Sequence, residues 1–303
     1  MFESVHTSVG GVASKRAGSS REAASAAETL ELQRAIGAAR VVFAGDATGT
    51  KVVDDFQKFP IALAFPEIDS RSHREAVVIN TSGGVAGGDQ IKIDVIAKCQ
   101  SSIAMTTQAA EKIYRALDRP ALLLTHLRAD TGARLAWLPQ ETIVFDGARF
   151  VRKSELDLSS GSQVLALEWL VLGRAASGET LCTGHISDSW RIKLDERIIW
   201  ADAFFASDRF FSQLGRRALL SDIKAFGTLI YFGPSLETRL EELRSLAIEA
   251  ECKFGATIVG ALLIVRMAAR SGTDLKRGLR SLLNQFESAV GPGPFSVPKM
   301  WSC

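Results

Sequence analysis

Few side chains in this sequence have the types and spacing that catalysis or tight metal binding requires. The four histidines are scattered, and none stands in a His-x-x-x-His or His-Glu-x-x-His spacing. The sequence contains no Gly-x-Ser-x-Gly motif, which would expose a serine nucleophile on a tight turn. His126 lies in an apolar segment, where we expect a hydrogen-bonded core histidine and not a ligand. The sequence therefore predicts a protein without catalytic residues, without a tightly bound cofactor and without a tight metal site.

The carboxylates are more informative, because several lie in or beside apolar segments, where a charge must be paired or hydrated. The candidates are Asp89, Asp146, Glu168 and Glu179. One interpretation is that they cap turns or form ion pairs with Lys112, Arg115, Arg149 and Arg174. The other is that some of them line a hydrated interior path for a divalent cation. The sequence leaves both interpretations open.

A glycine-rich segment, Gly83–Gly88, separates two segments with the pattern of strands. Val77–Ile79 is β-branched and apolar, and Ile91–Val95 alternates apolar and polar residues, as in a strand with one buried face. The segment spells neither Gly-x-x-x-x-Gly-Lys-Ser/Thr nor Gly-x-Gly-x-x-Gly, and a strand follows it where a phosphate site needs a helix N-terminus. A structural turn is favoured, with a nucleotide-binding enzyme as the alternative.

Most of the remaining chain consists of short strand-like segments separated by glycine or proline. This pattern predicts a mainly β fold of stacked antiparallel or coiled sheets, similar to a β-helix, with two helices near the C-terminus. The specific expectations are a short helix over 108–117, helices over about 235–252 and 273–290, and a buried strand over 257–267. Phe204-Phe205 and Phe210-Phe211 are either core residues or an exposed docking surface.

Composition limits the classes of partner. The 303 residues are 47% hydrophobic and carry a formal net charge of only +2, so no overall field would attract nucleic acid or a membrane surface. No apolar run reaches the about 20 residues that span a bilayer. The four cysteines form no Cys-x-x-Cys pair, which favours reduced thiols in a cytoplasmic protein. We expect a flexible tail over residues 1–27 and one β-rich domain over 28–303.

Four sequence blocks, in order and spacing, resemble the UreD/UreH family of urease accessory proteins. The blocks are Ser82–Asp89, Thr106–Lys112, Trp137–Gly147 and Leu172–Glu179, and Pro298–Ser302 is similar to the family's closing motif. The similarity runs from about Leu30 to the end of the chain. One departure is Thr81-Ser82, where the family usually has two prolines.

The resemblance implies a non-enzymatic scaffold in urease maturation. Such proteins bridge apo-urease to the accessory protein UreF, which recruits the GTPase UreG, so that nickel reaches the urease active site. For this chain it implies nickel in transit, with Asp89, Asp146, Glu168 and Glu179 as candidates for the path. Loosely binding carboxylates suit a conduit better than clustered imidazoles or thiolates. A β-sheet interaction module with another client is a further alternative.

Overall fold

The structure is a computed structural model that describes residues 34–67, 73–174, 178–179, 181–213, 216, 222–246, 251–290 and 293–302. The tail expected over residues 1–27 lies outside the described residues. A single domain over 28–303 therefore stays a prediction.

Strands make up most of the described chain. In chain order they are β1 (Ile36–Asp46), β2 (Gly49–Lys58), β3 (Ile61–Ala64), β4 (Arg74–Asn80), β5 (Gln90–Ala97), β6 (Ser102–Thr107), β7 (Glu111–Ile113), β8 (Ala121–Ala129), β9 (Arg134–Trp137), β10 (Thr142–Val144), β11 (Arg149–Leu158), β12 (Gln163–Leu172), β13 (His185–Leu194), β14 (Arg197–Ser207), β15 (Ala225–Phe232), β16 (Cys252–Val259) and β17 (Leu262–Ala269). The helices are α1 (Asp208–Phe211), α2 (Leu236–Ser245) and α3 (Gly272–Val290), followed by a 3₁₀ turn at Lys299–Ser302.

The strands form two stacked sheets. The first has the order β14-β13-β11-β8-β5-β1-β2, and the second runs β16-β17-β15-β12-β9-β6-β4-β3 with β10 and β7 beside β12. Between β4 and β13 the chain passes repeatedly from one sheet to the other, so the predicted coil of stacked, β-helix-like sheets is confirmed.

Strand direction differs from the expected antiparallel pairing in the middle of both sheets. β5, β8, β11 and β13 pair in parallel, as do β4, β6, β9 and β12, whereas the antiparallel pairs lie toward the ends of the sheets. The reason is topological: a chain that crosses to the other sheet between two strands returns to the first sheet in the same direction. Short strand spacing alone does not distinguish this arrangement from hairpins.

Apolar side chains form two cores. One fills the space between the sheets and includes Phe43, Ile93 and Phe150. The other lies on the outer face of the second sheet, where α3 packs Leu279 and Phe286 against it. The helix predicted over 273–290 is thus confirmed, because its apolar stripe has a sheet face to cover.

Three local predictions need correction. Residues 108–117 form no helix; Glu111–Ile113 is strand β7, paired with β10, and Ile113 is fully buried. The helix predicted over 235–252 ends at Ser245, since Cys252 begins β16 and pairs with Ala269. The single strand predicted over 257–267 is a hairpin of β16 and β17, which turns at Gly260 with φ +57°.

The two phenylalanine pairs divide between core and surface. Phe211 is buried, and Phe204 and Phe210 pack against the core between the sheets, with ring centroids 5.8 Å apart. Phe205 is exposed and lies edge-on to His185. The pairs are therefore mainly core residues.

No helix in the described part of the chain combines the length and hydropathy needed to cross a lipid bilayer.

Candidate functional site

A buried ionic cluster lies between the two sheets, among apolar residues. Arg152 on β11 donates from Nε and Nη2 to the carboxylate of Asp188 on β13, at 2.9 and 2.6 Å. Its Nη1 donates to Glu168 Oε2 on β12 of the opposite sheet, at 2.7 Å. Alternation places all three side chains on the inner faces of their strands. One guanidinium therefore joins two carboxylates across the interior.

Hydrogen bonds with neutral side chains complete the cluster. Trp137 Nε1 donates to Glu168 Oε1 at 3.0 Å, and Arg152 Nη1 also donates to Thr142 Oγ1 at 3.1 Å. Ser154 Oγ lies 3.4 Å from Glu168 Oε1. Such buried charges persist only when their remaining donors and acceptors are used.

Electrostatics keep Arg152 protonated. Burial acts to lower the pKa of Arg152, but the charges of Asp188 and Glu168 outweigh it and the pKa is raised. Burial, supported by the neighbouring charge of Asp188, raises the pKa of Glu168 against the opposing effects of Arg152 and the Trp137 N–H. Two carboxylates share one cation, so with all three groups ionised the cluster carries one net negative charge.

Two cavities adjoin this cluster. A first cavity of about 150 Å³ is lined by Arg152, Glu168 and Thr142, and it reaches the exposed residues Gly83 and Lys112. A second cavity of about 210 Å³ is lined by the same Arg152 and Glu168 and by Asp188, Asp202 and Arg266. Arg152 and Glu168 thus belong to the walls of both.

The second cavity ends at another ion pair. Arg266 Nη2 donates to Asp202 Oδ2 at 2.8 Å, and Arg266 Nη1 lies 3.3 Å from Thr228 Oγ1. The Arg266 side chain is 54% exposed, so this end of the polar interior reaches solvent. The walls of the two cavities thus carry polar side chains near both exposed ends and at the ionic cluster, among apolar residues such as Ile93 and Leu123.

Glu111 is the second carboxyl in the wall of the first cavity. The Asn80 amide donates to Glu111 Oε1 and Oε2 at 3.0 and 3.1 Å. Burial raises the pKa of Glu111 to about 7, although the Asn80 bonds, the Lys112 backbone N–H and the Lys112 charge oppose the change. Glu111 therefore exchanges its proton near neutral pH.

Only one of the four carboxylates singled out from the sequence lies in this polar interior. Glu168 does, but its partner is Arg152 and not one of the four cations considered from the sequence. Asp89 closes the glycine loop by accepting from the backbone N–H groups of Ala35 and Ala86, both at 2.8 Å. It lines neither of the two cavities.

Asp146 and Glu179 lie together, away from the ionic cluster. Asp146 Oδ1 accepts from the backbone N–H groups of Cys182 and Thr183, and the Asp146 N–H lies 3.4 Å from Glu179 Oε1. Burial acts to raise the pKa of Asp146, but these donors and Arg115 lower it overall. The Arg174 hydrogen bond lowers the pKa of Glu179. For Asp146 and Glu179, the structure therefore agrees with the interpretation that they cap turns or form ion pairs with arginine.

The glycine segment forms a turn between two strands. Tyr114 Oη donates to the Gly83 carbonyl at 3.0 Å, and β5 begins at Gln90. A strand follows the loop, so the loop lacks the helix N-terminus that holds a phosphate in nucleotide-binding proteins.

His126 is satisfied, as expected, but it is not a core residue. Its Nδ1 lies 3.2 Å from Asp94 Oδ1 and its Nε2 lies 2.8 Å from Asp157 Oδ2. The side chain is 34% exposed on the outer face of the first sheet. Among the described residues, no group of three or more His, Cys, Asp or Glu side chains converges on a metal position.

Sequence reasoning missed Arg152, Asp188 and Glu111. Arg152 and Asp188 could have been found from alternation, because Phe150-x-Arg152-x-Ser154-x-Leu156 and Ile186-x-Asp188-x-Trp190 place a charge on an otherwise apolar inner face. Glu111 was hidden by the expectation of a helix. That Arg152 and Asp188 meet depends on the pairing of β11 with β13, which the sequence does not reveal.

Comparison with known sequences agrees with the resemblance. A family profile described as UreD urease accessory protein matches residues 35–302. The urease accessory protein UreD of Xanthobacter autotrophicus is 37% identical over 279 residues, which are 92% of this chain and 94% of that protein. UreD of Rhizobium etli is 38% identical over 253 residues, 84% of this chain and 90% of that protein. UreD of Agrobacterium fabrum is 34% identical over 277 residues, with 91% and 94% covered.

Proposed function

Because this chain belongs to the UreD family of urease accessory proteins, we propose that it is a non-enzymatic scaffold that guides nickel to apo-urease. Its partners would be apo-urease and a UreF-type protein, with a UreG-type GTPase joining through that complex in the cytoplasm. Nickel is the cargo and not a resident cofactor.

The observation that carries the nickel role is the polar interior between the sheets. Two cavities adjoin the Arg152–Glu168–Asp188 cluster, and each reaches solvent-exposed residues. A hydrated cation needs oxygen ligands and must be able to leave again, so sparse carboxylates and hydroxyls suit passage better than a closed site. Of the carboxylates considered from the sequence, Glu168 is the one we assign to this path.

The scaffold role is tested by reconstitution. Apo-urease, a UreF-type protein, a UreG-type GTPase with GTP, and nickel are combined with or without the purified chain, and urease activity is followed. We expect activation to depend on the chain, and copurification to recover it with apo-urease and the UreF-type protein. Equal activation without the chain would contradict the scaffold role.

The nickel role is tested separately by Glu168→Gln. This change keeps the side-chain shape and an acceptor for Trp137 but removes the charge, so we expect slower activation with unchanged complex formation. Glu75→Gln is a matched control, because Glu75 is also a buried carboxyl but lines neither of the two cavities. If both variants activate urease like the wild type, nickel does not depend on Glu168.

A further inference from the structure

The side chain of Arg152 belongs to the walls of both the first and the second cavity. It is 2% exposed and is held by three short bonds, two to Asp188 and one to Glu168. Arg152 and Glu168 are the two residues that line both cavities, so a cation crossing directly from one cavity to the other would contact these side chains.

We propose that Arg152 is a gate: its guanidinium separates the two cavities, and a divalent cation that enters from the first cavity passes by taking its place between Glu168 and Asp188. The proposal rests on the proposed nickel role and adds the residue that controls it.

Charge supports the exchange. With all three groups ionised, two carboxylates around one guanidinium leave a net negative charge, whereas a divalent cation between the same carboxylates would neutralise both. Removing the guanidinium without a replacement would leave two buried charges uncompensated, which is strongly unfavourable. The gate therefore stays closed in the absence of a cation and opens only as one arrives.

The first cavity offers a place for the displaced side chain. Arg152 Nη1 already donates to Thr142 Oγ1, which lines that cavity. Glu111 lines the same cavity and offers a second carboxyl as an acceptor. The remaining charged residue in the wall of this cavity is Lys112. A guanidinium that turns toward Thr142 thus remains among acceptors.

The geometry also explains why arginine, and not lysine, suits this role. A planar guanidinium donates to both Asp188 oxygens and to Glu168 at once, whereas an ammonium is a single point charge on a flexible stem. Arg152→Lys keeps the charge but loses the fork that spans the two carboxylates.

Two tryptophans report the two sides of the gate. Trp137 lines the first cavity and donates to Glu168, and Trp190 lines the second cavity. Stopped-flow fluorescence of the full chain mixed with Ni²⁺ alone measures quenching, and Trp137→Phe and Trp190→Phe assign each phase. We expect Trp137 and Trp190 to be quenched at different rates in the wild type, because each cavity has its own opening to solvent and the closed gate keeps the two cavities apart.

One variant decides the proposal. In Arg152→Lys, checked for a cooperative thermal transition, we expect the slower of the two quenching phases to become at least about tenfold faster, as loss of about 1.4 kcal/mol of barrier implies. An unchanged slower phase in Arg152→Lys, or simultaneous quenching of the two tryptophans in the wild type, would overturn the gate. So would quenching of neither tryptophan.

Reconstitution of urease activation with the same protein distinguishes failure of the proposed gate from failure of the proposed scaffold role. If the wild-type chain activates urease but the slower quenching phase is unchanged in Arg152→Lys, the gate is wrong and the scaffold role stands. If wild-type chain fails to support activation, the proposed function itself is wrong.

Discussion

At the scale of single residues, Arg152 shows how a charge is accommodated in an apolar interior. Its strand alternates inward and outward side chains, and the inward neighbours Phe150 and Leu156 are fully buried. Removing the charge from water costs several kcal/mol, which the two carboxylates and Thr142 must offset. The cluster therefore contributes less to net stability than its short bonds suggest, but removing one of its members strongly lowers the free energy of unfolding.

The cost of leaving two buried carboxylates without their cation gives the first prediction. Arg152→Leu leaves Glu168 and Asp188 buried without their cation, so we expect it to lower the free energy of unfolding by about 3–5 kcal/mol. Adding Glu168→Gln and Asp188→Asn to Arg152→Leu removes the uncompensated charges and should restore most of that loss. Urea unfolding followed by circular dichroism measures both variants. A triple variant no more stable than Arg152→Leu would contradict the electrostatic explanation.

Glu111 gives a prediction about pH. Its pKa rises from 4.5 to about 7 on folding, so between these values the folded chain holds a proton that the unfolded chain has released. Stability from this group is therefore present at low pH and is lost as pH rises from about 4.5 to 7, by up to about 3 kcal/mol.

Glu111→Gln should remove this dependence. We expect the variant to match the wild type near pH 4.5 and to be more stable above pH 7, because glutamine cannot acquire the buried charge. Thermal unfolding from pH 4.5 to 8 measures the difference. Parallel profiles for the two proteins would show that Glu111 does not titrate near neutrality.

At the scale of elements, the sequence predicted best where one pattern alone decides the structure. Helix α3 has its apolar stripe and its polar face within one segment, and β5 alternates regularly, so both were predicted correctly. Strand β7 was missed because Glu111–Ile113 is too short to show alternation. Its conformation comes from pairing with β10, including the Glu111 N–H bond to the Glu141 carbonyl at 2.8 Å.

The glycine loop between β4 and β5 gives a prediction at this scale. A Cβ at Gly84 would lie 2.5 Å from the Tyr114 ring and 2.8 Å from the Lys112 carbonyl oxygen, and φ is +155°. Gly83 also has a positive φ, +76°, but a Cβ there would meet nothing within 4 Å. Gly84→Ala must therefore displace both Tyr114 and the backbone of β7.

We expect Gly83→Ala to cost about 1–2 kcal/mol, the usual penalty of the left-handed conformation for alanine, and Gly84→Ala to cost clearly more. Thermal unfolding compares the two, with Gly83→Ala as the matched control. Because β7 lines the first cavity, Gly84→Ala should also slow urease activation. Equal stability of the two variants would mean that the loop does not hold β7 in place.

At the scale of the whole molecule, the coiled arrangement places the inward residues of both sheets around one interior. The sequence predicted this class of fold, but parallel pairing could not be read from it, since the parallel pairs join strands that are separated in the chain by other strands. Arg152 and Asp188 are 36 residues apart, and Arg152 and Glu168 are 16 apart. The polar path is thus a property of the assembled sheets, and no single motif encodes it.

The same arrangement predicts that the fold is independent of metal. The apolar residues between the sheets and beneath α3 form two extensive cores, and their burial supplies the main stabilisation of the fold. We therefore expect treatment with EDTA to leave the midpoint of thermal unfolding unchanged, while nickel added in excess raises it only slightly, as weak binding to the folded state requires. A large fall in the midpoint after EDTA would mean that the chain holds a resident metal on which the fold depends.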